Sequence, residues 1–194
     1  MSLAGYVIHT PGGDIGSRGT GYTYVLAGNG LFLEASNNLL EARLLLAQER
    51  VRGLPLIEPE LRLHHGRIPA HLLALAVGVL SAQPDLETYA AIVWSGGEYR
   101  LVVPEQDQGE AHVTYQVPPG TVVGLHSHGR MGAFFSTIDD LDDQGFQVSV
   151  VLGKLGALVP DAKSRLCIYG HFGGVKLSDV FHGPICVWES PWYD

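Results

Sequence analysis

Between Pro69 and Gln83 the chain holds one long stretch at helical spacing, and this most narrows what it can fold into. In "IPAHLLALAVGVLSAQ", Leu72, Leu75, Ala76, Val79 and Leu80 recur every three or four residues. Pro69 suits the first turn of a helix, and Gln83-Pro84-Asp85 stops the pattern. On both sides the sequence is cut into short β-like runs. Upstream these are "GYTYVLA", "GLFLEAS" and "LLEARLLLA", divided by Gly-Asn-Gly and Ser-Asn-Asn turns. Downstream they are "ETYAAIVWS", "EYRLVVP", "AHVTYQV", "TVVGLHSH", "FQVSVVLG" and "RLCIYGHF", with a second, short helix expected near "STIDDLDDQ". The pattern predicts an α+β (mixed α/β) protein. The proline-bearing segment "GLPLIEPELRLHHGRIP" reads as a join, which divides a β-rich extension (residues 1–60) from a main domain (residues 61–194). The early run "TPGGDIGSRGTG" lacks the order of a phosphate-binding loop and is expected to form mobile turns.

Hydrophobic residues make up 46% of the 194 and charged residues 16%, a balance that favours a packed globular protein over a disordered one. The formal charge of −8, with no run of Lys or Arg, argues against sequence-independent nucleic-acid binding. No apolar run reaches the roughly 18 to 20 residues of a membrane span, so no membrane partner is expected. The start of the chain shows neither the basic nor the long apolar region of a secretory signal. Cys167 and Cys186 make neither a disulfide framework nor a C-x-x-C zinc site, and a reducing cytoplasm is the expected location.

Chemistry concentrates in "GLHSHGRMGAFFSTIDD", residues 124–140. Alternation along a strand sends His126 and His128 to one face, about 6.5 to 7 Å apart, a spacing that suits two ligands of one metal ion. Asp139 returns across a loop with two glycines, and in a helix opened by "STIDD" it shares a face with Ser136, a plausible N-cap. Two histidines and one aspartate leave a coordination position for water, as catalytic zinc sites do. The remaining acids, Asp140, Asp142 and Asp143, read as a solvated helix N-terminus favoured by the helix dipole. A base is still needed. Glu87 heads a strand directly after the helix and is the leading candidate, ahead of Glu98, Glu105 and Glu110.

The run "HSHGRMGAFFSTID" fits His-x-His-x7-Ser-x2-Asp, and in this it resembles the JAMM (MPN+, or JAB) metalloproteases, with "DLETYAAIVW" similar to the family's glutamate-bearing strand. The likeness covers roughly residues 66 to 170 and points to the prokaryotic branch. It implies a central, mostly antiparallel sheet flanked by helices, with the β-rich extension outside that core. It implies one Zn2+ per chain on His126, His128 and Asp139, with a catalytic water. Glu87 would move the proton from that water to the leaving amine, and Ser136 would stabilise the oxyanion. The implied substrate is a ubiquitin-like protein or its conjugate, cut at a peptide or isopeptide bond, with an E1-like protein as a further partner. Gly129 and Phe135 stand where many members have proline, and Ala90 where many have glycine. A catalytically silent scaffold of the same fold is the alternative. A nucleobase deaminase is disfavoured, because its His-x-Glu and P-C-x-x-C signatures do not occur.

Overall fold

The computed structural model describes residues 2–109 and 113–191; Glu110 lies outside them. The chain divides into two compact units, Met1–Gly66 and Arg67–Asp194.

The first unit is a six-stranded sheet built from β1 (Ala4–Thr10), β2 (Gly13–Ser17), β3 (Tyr22–Ala27), β4 (Gly30–Ser36), β5 (Leu40–Gln48) and β6 (Glu60–Leu63), in the order β2-β1-β3-β4-β5-β6. Alternation in "YTYVLA" turns Thr23, Val25 and Ala27 inward. Val25 and Ala27 join Val7 and Phe32 in a small core, against which Leu45 and Ile57 pack. The glycine-rich run expected to form turns is instead strand β2, in antiparallel register with β1 (Ile8 opposite Ile15). Gly16 shows why the composition misleads. Its φ is +124°, and a Cβ there would sit 2.1 Å from the Tyr6 carbonyl oxygen, so the pairing itself requires glycine.

The second unit contains β7 (Ile68–Pro69), α1 (Ala70–Leu80), β8 (Tyr89–Ser95), β9 (Glu98–Val102), β10 (Gln106–Gln108), β11 (Val113–Tyr115) and β12 (Thr121–Ser127). It continues with α2 (Thr137–Asp142), β13 (Phe146–Gly153), β14 (Asp161–Ile168), β15 (His171–Gly174), α3 (Leu177–Val180), β16 (Phe181–His182) and β17 (Trp188–Glu189). Its main sheet runs β15-β14-β13-β12-β8-β9, with β17 beside β14. Helix α1 lies where the spacing predicts, but its buried stripe is Ala70, Leu72, Leu73, Ala76 and Leu80, while Leu75 and Val79 face solvent.

The α+β expectation, with helices flanking the sheet, is overturned. Strands hold 48% of the described residues and helices 11%, and among those residues there are three short helices. The physical reason is what covers the sheet. Tyr89, Ala91 and Val93 on one face of β8 are buried by Val102, Val113 and Tyr115, so strand residues do the work expected of a helix. Tyr115 stacks on Tyr89 with ring centroids 3.5 Å apart. Helix α2 buries no side chain and α3 is a single turn.

Candidate metal centre

Strands β12 and β13 are parallel neighbours, and the connection between them carries α2. Sites in such crossovers gather at the carboxyl ends of strands, and here His126 and His128 stand at the end of β12. The strand is fixed by burial on both faces: Val122, Val123 and Leu125 are fully buried. Beyond β12 the backbone stays tied down. The His128 amide donates to Leu152 O (2.8 Å) and the Leu155 amide to Gly129 O (2.8 Å). Gly129 has φ +58°, and a Cβ there would press on the Pro84 carbonyl oxygen at 2.5 Å, so no other residue fits this turn well.

Asp139 comes from the third position of α2 and is set by a capping box. The Ser136 hydroxyl accepts the Asp139 amide (3.2 Å), and the Ser136 amide donates to Asp139 Oδ2 (2.5 Å). This turns the carboxylate onto the histidines, with Oδ1 2.9 Å from His126 Nε2 and Oδ2 3.5 Å from His128 Nε2. One donor atom from each of the three residues falls within 4.8 Å of the others, a cluster that could hold a metal ion.

The donors fit a metal better than they fit one another. His126 Nε2 is buried and makes no well-aligned hydrogen bond, although Asp139 Oδ1 is 2.9 Å away. His128 turns Nε2 towards Asp139, and its other ring nitrogen, Nδ1, is buried and unpartnered on the side away from that contact. A buried orphan of this kind costs about 1 to 3 kcal/mol, and ligation removes that cost at a nitrogen facing the ion. The 2.9 and 3.5 Å contacts, made to different oxygens of Asp139, are close to the roughly 3.3 Å expected between neighbouring ligands of a tetrahedral ion with bonds near 2.05 Å. Burial by itself would raise the Asp139 carboxyl. The two imidazoles and the Ser136 amide outweigh burial and hold it far below the usual carboxylate range, so it is available as an anionic ligand.

Two cavities flank the cluster. One, of about 190 Å³, is lined by His126, Asp139, Tyr115 and Asp142; the other, of about 450 Å³, by His128, Gly129, Arg130 and Met131. Glu87 lines both. It lies just before β8 rather than in it, and its backbone is held from two sides. The Glu87 amide donates to Gly109 O (2.9 Å), while Ser127, between the two histidines, accepts the Thr88 amide on its hydroxyl (3.0 Å) and donates its own amide to Thr88 O (3.0 Å). The sequence reading passed over Ser127, although its place in His-Ser-His was visible.

Arg165 was passed over as well. This side chain on β14 is 2% exposed, yet its guanidinium donates to Asp140 Oδ1, to Asp143 Oδ2 (2.8 and 3.1 Å) and to the Asp139 carbonyl (3.1 Å). It is sandwiched between the rings of Phe135 and Phe172, 3.8 Å from each centroid. Asp143, nearly buried, and Asp140, still half-exposed, therefore pair with a buried arginine, which adds a partner that their reading as a solvated helix N-terminus lacked. Phe135, the departure from the family pattern, is one half of that sandwich. Comparison with known proteins returns no matching family model and no matching curated protein.

Proposed function

We propose that the protein is a zinc-dependent metallopeptidase or isopeptidase whose substrate class is the C-terminus of a ubiquitin-like protein, the activity that the JAMM resemblance implies. The observation that carries this reading is the convergence of His126, His128 and Asp139 beside two cavities, with His126 Nε2 buried and without a hydrogen bond where it faces Asp139. Two nitrogens and one oxygen are the donor set of a catalytic zinc site. A zinc ion bound there supplies Lewis-acid chemistry, polarising a carbonyl and acidifying a water. Glu87, at the junction of the cavities, accepts the proton from the attacking water and returns it to the leaving amine. The Ser136 oxygen uses a lone pair on the Asp139 amide, which leaves its hydroxyl proton to donate to the developing oxyanion. The chain between the ligands exposes Met131, Phe134 and Ile138, and Leu141 follows one turn after Ile138. Exposed apolar side chains beside a polar centre favour a polypeptide substrate over a small molecule.

The test is metal analysis combined with cleavage of a ubiquitin-like protein bearing a short C-terminal extension. The wild-type chain should hold about one zinc and remove the extension. The His126→Ala/His128→Ala double variant should hold none. Glu87→Gln should keep the zinc and lose about 10²-fold or more in kcat. A wild-type chain that takes up no zinc sinks the metal reading. Zinc binding with partner capture but no cleavage replaces the enzyme with a scaffold.

A further inference from the structure

We infer that Arg165 is the positioning residue of the metal centre: from a rigid strand it fixes α2, and through α2 it fixes Asp139 against His126 and His128. The inference rests on reading the cluster as a metal site and adds to it how the third ligand is held. Helix α2 has six residues, none of them buried, and its apolar side chains Ile138 and Leu141 point into solvent. Apolar packing therefore does not hold it, and a helix so short has little stability of its own. Its capping box fixes the carboxylate relative to the helix but not the helix relative to β12. That second task falls to Arg165. One guanidinium reaches positions 139 and 140 within the helix and 143 at its C-cap, and these contacts include the ligand's own carbonyl. Its other surroundings leave it little freedom. Strand β14 is paired on both edges, with β13 and β15, and the two phenyl rings clamp the guanidinium plane. Lysine could not replace it, because a single ammonium neither forks to several acceptors nor stacks flat between rings. A buried ion pair of this kind adds little net stability over an apolar filling, and its natural use is to specify one arrangement.

The experiment uses the full-length chain and reads zinc affinity by competition with a chromophoric chelator. Denaturant unfolding of the metal-free proteins and the visible spectrum of bound Co2+ are measured in parallel. Arg165→Lys and Asp143→Ala should each weaken zinc binding about tenfold to a hundredfold, as loss of outer partners of metal ligands does. The two changes together should cost less than the sum of the two, because both break the Arg165–Asp143 contact. The Co2+ bands should shift in both variants, since the ligand set relaxes. Leu73→Ala in α1 lowers stability through a core cavity and should bind zinc as the wild type does, which separates positioning from general loss of stability. If Arg165→Lys fails to fold, Asp143→Ala decides. Wild-type affinity and an unshifted Co2+ spectrum in the folded variants overturn the role of Arg165. Failure of the wild-type chain itself to bind zinc overturns the metal reading beneath it.

Discussion

Cys167 shows how far burial can silence a thiol. It lies on β14 two residues from Arg165 and donates its thiol to the Asp143 and Gly145 carbonyls, where the chain leaves α2 for β13. Burial pushes the thiol up to about 11, with the nearby Asp143 carboxylate acting in the same direction and Arg165 only partly opposing it. A raised thiol pKa means the thiolate is absent through the neutral range and appears only as pH approaches 11. At pH 8 about one molecule in a thousand carries it. Iodoacetamide on the native protein should therefore label Cys186, which is exposed, and leave Cys167 intact until denaturant is added. Peptide mapping by mass spectrometry reads this directly, and rapid native labelling of Cys167 would contradict the packing around it. The same scale sets what the sequence could reveal. His126, His128, Ser136 and Asp139 were legible because strand and helix periods place near neighbours on one face. Arg165 was not, because its partners lie 22 to 26 residues upstream and meet it only through the β13–β14 register and the course of the chain after α2.

At the scale of elements, α2 is the part whose sequence reading was most nearly complete and also most incomplete. The N-cap was legible: Ser136, then Asp139 three residues on, is a capping-box spacing, and the box forms. What holds the helix was not legible, since Asp140, Asp142 and Asp143 read as a solvated helix N-terminus until a buried cation is found under it. Ser136 consequently has two duties, and substitution separates them. Ser136→Thr keeps the cap and should retain zinc affinity close to wild type. Ser136→Ala loses about 1 kcal/mol of capping, which should weaken zinc binding by about fivefold through a looser Asp139. If kcat at saturating zinc is lowered further in Ser136→Ala, the hydroxyl also donates in the reaction. Equal zinc affinities for serine and alanine would show that the box does not position the ligand. The glycine-rich strand β2 illustrates the opposite failure. Glycine there marks close backbone approach rather than a turn, and only the pairing with β1 distinguishes the two.

At the scale of the whole molecule, every residue assigned to the centre lies between Arg67 and Asp194: Glu87, His126, Ser127, His128, Ser136, Asp139 and Arg165. The unit Met1–Gly66 has its own sheet and its own core around Val7, Val25 and Phe32. Strand β6 belongs to that sheet, in register with β5, so a cut at residue 60 would remove an edge strand, whereas a cut after Gly66 leaves both sheets whole. The second unit closes on itself as well, since β16 returns beside β7 at its start and β17 beside β14. A chain of residues 67–194 should therefore fold and bind zinc with wild-type stoichiometry and affinity. It should also cleave a small peptide substrate with an unchanged kcat. If the first unit contributes to recognition of a protein substrate, its removal will raise KM for that substrate while leaving the peptide reaction alone, because binding energy far from the reacting bond is separable from the chemistry. Circular dichroism, chelator competition and the two KM values form the measurement. Loss of zinc affinity in a truncated chain that still folds would show that the centre depends on residues before Arg67, and the assignment of its residues to the second unit alone would fall.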